Sequence, residues 1–427
     1  MKDLRDIVEA WRKSVVESAA VPRESAVLAT VVRSEGSTYR RPGAHLLVLP
    51  DDEMVGLIGG GCLEGDLLEQ ARRVRISGEP RSVLYDSRSE DDIVWGLGLG
   101  CAGKVEILLE PAGDDRQGPI AFIEGCLAER RPGLLGTVIS SGDALAGADR
   151  PALGSHCSAR EEGGMLCFAP GDLRGPFALR VEQEAKEAWR RLFLSSNPAN
   201  PADRAGAPRA SQRMVAYGGG RVELLFEAVL PLPRLLVFGA GPDALPVVTL
   251  AAELGFEVTV VDGREAYARA DRFPDDVGVV CCDPADAREL SKRLEVDAES
   301  VALVMNHHYL RDRDALRWLL DRPLLYLGAL GPKRRSEDLL RDLRDEGLAI
   351  DEAALAHFHA PAGLDIGSES PEEIALSLLA EIRAVLAGRS GGSLRERAGP
   401  IHDSPPRGSP PGDSPPRGSP PGGSGSS

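Results

Sequence analysis

Two cysteines stand in settings that suit a soft metal. Cys62 follows three glycines in Ile58-Gly-Gly-Gly-Cys-Leu-Glu-Gly65, just before a helical stretch, and Cys101 lies in Gly98-Leu-Gly-Cys-Ala-Gly103. A thiol at a helix N-terminus ionises more readily, and the thiolate is the form that binds soft metals. Gly60, Gly61 and Gly100 carry no Cβ and so leave room for a ligand beside the sulfur. Cys101, flanked by glycines at 96, 98, 100 and 103, is the stronger candidate, as a metal ligand or as a thiol guarding a cofactor. The competing reading of Cys62 is a small buried residue in a tight loop. No Cys-x-x-Cys or His-x-x-x-His spacing occurs, which argues against a structural zinc site. Cys281 and Cys282 end an apolar strand and read as core. Cys126, Cys157 and Cys167 read as structural.

A second constellation is built for phosphate. Arg234-Leu-Leu-Val-Phe-Gly-Ala-Gly-Pro-Asp-Ala244 is an apolar run feeding a Gly-x-Gly-x-x-Ala turn, and Asp262 ends the next strand. Gly239 and Gly241 permit a tight turn and close backbone approach, the following helix offers unpaired N–H groups, and Asp262 stands where an acid holds ribose hydroxyls. Pro242 removes one of those donors, and the charge of Asp243 would repel a pyrophosphate. His307, following a buried-type strand, faces the expected crevice as a ligand contact or proton carrier. Lys333, opening Lys333-Arg-Arg335 after Gly331-Pro332, is placed to meet a phosphate, against the plainer reading of a solvated run. Arg40 and Arg41 present the same choice, and Tyr39 reads as core.

Elements to position these groups are legible at both ends of the chain. A helix is expected over Leu4–Ser18, a strand over Ala26–Arg33, a hairpin pair at Ala44–Leu49 and Met54–Ile58, and strands at Arg81–Tyr85 and Lys104–Glu110. Residues 1–111 thus form a mixed α+β unit. Residues 112–232 read as a poorly defined extension and linker, with strands at Leu135–Ser140, Met165–Ala169 and Arg221–Ala228, a helix at Ala178–Phe193, and a flexible excursion over Ser195–Gln212. From 233 to 390, strands at Glu257–Val261, Val277–Cys282, Ser300–Met305 and Leu324–Leu327 alternate with helices. That alternation predicts a Rossmann-type, doubly wound parallel sheet with ligands at the carboxyl ends of its strands. Ser370-Pro-Glu-Glu373 is a capping box opening a helix to about Leu386. Residues 391–427 end in a ten-residue Pro/Gly/Ser repeat, Asp403–Gly412 and Asp413–Gly422, with no apolar side chains to bury and so expected to be disordered.

The whole composition narrows the classes. A chain of 427 residues exceeds one ordinary domain, and a formal charge of −16 argues against a broad nucleic-acid binder. No apolar run is long enough to span a bilayer. Without a signal peptide, and with an odd seven cysteines, the expected setting is the cytoplasm with reduced thiols.

The motifs resemble the XdhC/CoxI family, cytoplasmic accessory proteins of molybdenum hydroxylases such as xanthine and carbon monoxide dehydrogenases. The likeness rests on Ser34-Glu-Gly-Ser-Thr-Tyr-Arg-Arg-Pro-Gly43, the two cysteine motifs, Phe238–Ala244, Val260-Val-Asp262, Tyr326-Leu-Gly-Ala-Leu-Gly-Pro332, Ala360-Pro-Ala-Gly-Leu-Asp-Ile-Gly367 and Leu394–His402. Met305-Asn-His-His-Tyr309 departs from the family's usual Met-Thr-His-Asn-Tyr at Asn306 and His308. The resemblance implies a maturation factor that binds molybdenum cofactor transiently, protects it during sulfuration and helps insert it into a hydroxylase apoenzyme. A cysteine desulfurase and a second copy of the chain are further candidate partners. The expected arrangement puts the pterin in a cleft between the domains, with Cys101 and Cys62 at the metal end and Lys333 and the Gly239–Gly241 turn toward phosphate. The rivals are an NAD(P)-dependent oxidoreductase, which lacks a catalytic constellation such as Tyr-x-x-x-Lys, and a nucleotide-sensing scaffold that uses the Rossmann site alone.

Overall fold

In the computed structural model the described residues are 2–18, 25–36, 38–61, 63–86, 103–113, 118–142, 150–193 and 209–397. Cys62, Gly100, Cys101 and the Pro-rich tail lie outside them.

The first sheet is antiparallel, in the order β3-β2-β1-β5-β4. Its strands are β1 (Ala26–Gly36), β2 (His45–Val48), β3 (Met54–Gly56), β4 (Arg81–Asp86) and β5 (Gly103–Ala112). β1 is mostly apolar over Ala26–Val32, with Thr30 the one polar residue, because that stretch is covered on both faces. Val27, Ala29 and Val31 pack toward α2 (Glu64–Ser77), while the alternate residues Ala26 and Leu28 pack toward Ile7 and Trp11 of α1 (Lys2–Ser18).

Residues 119–229 form a second antiparallel sheet, in the order β8-β7-β6-β10-β9. It comprises α3 (Pro119–Ala128), β6 (Gly133–Ser141), β7 (His156–Glu162), β8 (Met165–Ala169), α4 (Gly175–Phe193), β9 (Ala210–Tyr217) and β10 (Gly220–Val229). The helix expected at Ala178–Phe193 buries Phe177, Val181, Ala185, Trp189 and Leu192, one stripe at helical spacing. β7 and β9 escape the sequence reading because β7 holds only Cys157 and Ala159 as apolar residues and β9 runs straight from Ala210 into the polar Ser211-Gln-Arg213 beside a Pro-rich segment. The end of the excursion expected over Ser195–Gln212 is strand instead: Ala210 opens β9, since Ala210–Tyr217 completes a ladder with β10.

The third sheet is parallel, in the order β13-β12-β11-β14-β15-β16. Its strands are β11 (Arg234–Phe238), β12 (Glu257–Asp262), β13 (Gly278–Cys281), β14 (Ser300–Val304), β15 (Tyr326–Ala329) and β16 (Phe358–His359). The linking helices are α5 (Ala244–Glu253), α6 (Ala287–Arg293), α7 (Tyr309–Leu319), α8 (Lys333–Asp345), α9 (Glu352–Leu355) and α10 (Pro371–Leu386). Leu235 and Val237 face one layer with α5 and α10, and Leu236 and Phe238 face the other with α6, α7 and α8. This is the doubly wound Rossmann arrangement. The strand order reverses between β11 and β14, so a crevice opens at their carboxyl ends. The capping box at Ser370 and Glu373 is formed as read. Cys282 is buried as expected, but Cys281 is exposed, because β13 is the edge strand and places that side chain outward.

Ion pairs fasten the antiparallel sheets to the parallel one. Lys2 reaches Glu253 at 2.9 Å, Arg5 reaches Asp276 at 3.4 Å, and Arg130 joins Asp297 at 2.7 Å and also pairs with Glu257. Glu257 opens β12, Asp276 precedes β13, Asp297 precedes β14 and Glu253 ends α5. These pairs therefore all lie at the amino ends of the parallel strands, the edge opposite the crevice.

Candidate functional site

The residues singled out from the sequence fall into two groups. The first collects at one end of the first sheet. Gly36, closing β1 after Ser34-Glu-Gly, pairs in register with Gly103, which immediately follows the Cys101 segment. A Cβ built on Gly60 would lie 3.9 Å from the Tyr39 ring, so the Gly59–Gly61 loop leans on the Ser34–Gly43 motif. Gly61 has φ +97°, which demands glycine, and a Cβ there would meet nothing within 4 Å. Among the described residues, space is thus left open beside Gly61. Tyr39 is 55% exposed rather than core, because its ring lies over this glycine loop at the surface. Arg40 is engaged with Asp3 of α1.

The loop is anchored by the helix that follows it. Leu67, Ala71 and Val74 of α2 are buried against the sheet, and the Tyr85 hydroxyl at the end of β4 donates to Asp66 in the first turn of α2 at 2.5 Å. Burial, then the Asp66 carboxylate, push the Tyr85 phenol well above its ordinary range, so it stays a neutral donor. Two motifs separated in sequence, and Gly103 at the end of the third, therefore meet at one edge. Cys62 and Cys101, within two of them, lie outside the described residues.

The second group lines the crevice of the parallel sheet. Gly239 has φ +120°, and a Cβ there would come within 2.5 Å of the Met305 carbonyl oxygen, so the β11 turn must be glycine to pass the end of β14. Asp262 is fully buried, and protein groups engage both of its oxygens. Oδ2 accepts from the Ala240 amide at 2.8 Å and from Arg264 Nη2 at 2.6 Å, and Oδ1 accepts from the Arg264 amide and Nε, each at 2.9 Å. Burial opposes its charge, but these donors hold the carboxyl below its usual range. The Arg264 guanidinium in turn lies 3.9 Å over the Tyr267 ring. The acid expected to meet ribose hydroxyls thus braces the glycine turn and pins an arginine.

Across the switch point, His307 Nε2 lies 2.7 Å from Asp243 Oδ2. His307 has φ +54°, a left-handed conformation that costs a non-glycine residue energy and gathers at functional sites. Asp243 stands at the N-terminus of α5 without capping it, and folds back so that a Cβ on Gly241 would meet its Oδ1 at 2.4 Å. A carboxylate and an imidazole thus meet at the N-terminus of α5, the end of the helix that a dinucleotide-binding sheet turns toward pyrophosphate. His308 caps α7, accepting from the Arg311 amide at 3.4 Å, and so has a structural task. Lys333 is the exposed first residue of α8. Arg335 is tied at 2.7 Å to Asp312, whose other oxygen accepts from the Asn306 amide at 3.1 Å. Among the described residues no group of three or more His, Cys, Asp or Glu is arranged to hold a metal ion.

Comparison with known proteins joins both groups to one lineage. Residues 235–382 match the XdhC Rossmann domain, and residues 20–86 match the XdhC and CoxI family. The chain belongs to the XdhC/CoxI family. It is 29% identical over 369 residues to a protein of Bacillus subtilis (strain 168) described as a probable xanthine dehydrogenase subunit, covering 86% of this chain and 96% of that one. It is 22% identical over 368 residues to the molybdenum cofactor insertion chaperone PaoD of Escherichia coli (strain K12), covering 86% and 85%. Among solved structures it resembles a protein of Bacillus halodurans described as a xanthine dehydrogenase, with a TM-score of 0.66 and 28% identity over 90% of this chain and 97% of that one. No helix among the described residues is long and apolar enough to cross a membrane.

The family motifs lie in both groups, yet the ion pairs that join the sheets run along the amino edge of the parallel strands. The Gly239–Gly241 turn, Asp262 and His307 sit on the carboxyl edge.

Proposed function

We propose that this XdhC/CoxI family member is an accessory factor of a molybdenum hydroxylase rather than a catalyst. It carries molybdenum cofactor as cargo while the sulfido ligand is installed and hands it to the apoenzyme. A cysteine desulfurase is the natural sulfur source in that sequence. The observation that carries the reading is that the Gly59–Gly61 loop packs on the Ser34–Gly43 motif at the end of the first sheet where Gly36 pairs with Gly103, and that Gly61 has no described neighbour within 4 Å of where a Cβ would stand. Glycine donors and an exposed aromatic ring suit a flat pterin, and the two thiols in the neighbouring motifs suit its molybdenum end. The likeness to a cofactor insertion chaperone supports the same reading.

A nucleotide at the parallel sheet is a second, separable proposal. The fold supplies the crevice, but Asp262 is taken by Arg264 and Asp243 stands at the N-terminus of α5. That arrangement disfavours hydride transfer from an NAD-type cofactor.

The test is anaerobic loading of the purified full chain with molybdenum cofactor, desalting, and fluorimetric assay of the pterin retained. Wild type should retain about one pterin per chain, and Cys101→Ala markedly less. Loss of pterin from both proteins on desalting would remove the carrier reading.

A further inference from the structure

The two antiparallel sheets share more than strand order. Gly103-Lys-Val-Glu-Ile-Leu-Leu-Glu110 of β5 matches Gly220-Arg-Val-Glu-Leu-Leu-Phe-Glu227 of β10, and Leu28-Ala-Thr-Val-Val32 of β1 matches Leu135-Gly-Thr-Val-Ile139 of β6. The registers agree as well. Leu28 pairs with Glu110 as Leu135 pairs with Glu227, and Thr30 pairs with His45 as Thr137 pairs with His156. Even the irregularity is repeated. The β1–β5 ladder slips between Val31 and Arg33, and the β6–β10 ladder slips at the matching place, between Glu223 and Leu224. A bulge is a specific feature of a fold, and its recurrence at matching residues marks a repeated unit.

Buried polar groups cross between the two units. His45 Nδ1 lies 3.0 Å from its own unit's Thr30 hydroxyl, and its Nε2 lies 3.1 Å from Glu227 of the other. His156 Nδ1 lies 3.1 Å from Thr137, and its Nε2 lies 2.6 Å from Glu110. Both glutamates are at least nine-tenths buried, where a carboxylate needs a partner. The His156–Glu110 contact is a hydrogen bond, whereas Glu227 Oε2 has no aligned donor and rests against the loop before β2. There Gly43, φ +86°, would put a Cβ 3.1 Å from that oxygen. The matching glycine, Gly154, has φ +76° and would put its Cβ 3.4 Å from Glu110.

The units differ in what their loops carry. Gly43 ends the Ser34–Gly43 family motif, while its counterpart Gly154 belongs to a segment outside both family matches. The second unit closes β9 to β10 with the pair Tyr217–Gly220 around Gly218-Gly219, where the first spends residues 87–102.

We propose that residues 26–112 and 133–229 are two copies of one unit, and that the second copy serves as a built-in partner whose Glu227 positions the first copy's Ser34–Gly43 loop. Glu110 performs the mirror task for the loop ending at Gly154, which has no cargo to hold. The two-copy clasp stands on the registers and crossed contacts alone. Its consequence for cargo rests on the function proposed above.

The experiment compares full-length wild type, Glu110→Gln and Glu227→Gln by hydrogen exchange and by retained pterin after cofactor loading. Exchange in residues 38–43 should rise at least fivefold in Glu227→Gln and stay unchanged in Glu110→Gln. Exchange in residues 150–155 should show the reverse. Pterin retention should fall at least fivefold in Glu227→Gln only. Equal loosening of both loops in each variant, or of neither loop in either, overturns the crossed clasp. Correct exchange with equal pterin retention in both variants overturns the positioning role. If wild type retains no pterin, the carrier reading fails, and the exchange pattern still decides the clasp. Should a glutamine variant fail to fold, Glu227→Asp and Glu110→Asp, which keep the charge and shorten the reach, test the same asymmetry.

Discussion

Arg264 grips both carboxylate oxygens of Asp262, through its amide and Nε on one and its Nη2 on the other. In a dinucleotide-binding sheet that acid is left open to accept from a ribose. Here its remaining bond goes to the Ala240 amide, inside the glycine turn. Arg264→Ala should therefore uncover Asp262 and raise affinity for adenosine-ribose ligands about tenfold over wild type, read by calorimetry with ADP-ribose. Tight wild-type binding, lost in Arg264→Ala, would show instead that the arginine reads the ligand.

The Asp243–His307 contact makes a second prediction at the same turn. A carboxylate at the N-terminus of α5 favours the helix dipole but repels a phosphate. Asp243→Ala should strengthen pyrophosphate binding roughly fivefold. Unchanged or weaker affinity by calorimetry would show that no phosphate sits there.

Glu381 ties α10 to the loop that follows β16. It accepts from the Tyr326 hydroxyl at 2.5 Å and the Gly363 amide at 2.8 Å, with His359 at 3.5 Å. Burial works against its charge, but His359, Tyr326 and the Gly363 amide hold its pKa at about 2. A depressed carboxylate stabilises the fold above its unfolded pKa, and that contribution is lost as pH falls through the folded value. Screened by solvent, the contribution is on the order of 1–3 kcal/mol. The difference in stability between wild type and Glu381→Gln, read by urea unfolding, should shrink as pH falls from the ordinary glutamate range toward about 2. Glu381→Gln should be less stable at pH 7 and flatter across the window. Parallel pH profiles for the two proteins would contradict the assignment.

Arg33 bridges Glu106 and Glu223, matching glutamates of the two antiparallel sheets. Removing one partner of a largely buried ion pair leaves charge without compensation. Arg33→Met should destabilise the protein by about 2–4 kcal/mol, and adding Glu106→Gln and Glu223→Gln should recover part of it. No recovery in the triple variant by thermal melting would show that Arg33 acts through packing alone.

Much of this was legible in the residues. The Rossmann sheet followed from apolar runs alternating with capped helices, and the outer motifs of the first sheet from glycine placement. Residues 119–229 were harder, because β7 and β9 interleave polar residues and their signal lies in a repeat rather than in periodicity. Comparing Gly103–Glu110 with Gly220–Glu227 would have found it. The engagement of Asp262 by Arg264 could not be read, since Asp-x-Arg fits an open ribose site as well as a closed one. Nor could the contact edge between the sheets, which depends on scattered charges such as Arg130, Asp297 and Lys2.

On the function proposed above, the motif end of the first sheet holds the pterin. The second sheet shows that this strand pair can close on a two-glycine turn, so residues 88–102, including Cys101, can be replaced by Gly-Gly with Asp86 still paired to Lys104. The measurement is retained pterin per chain after anaerobic loading, beside the melting temperature, for wild type and this variant. An unchanged melt with at least a tenfold loss of pterin is expected. Full retention by a normally folded variant would contradict it.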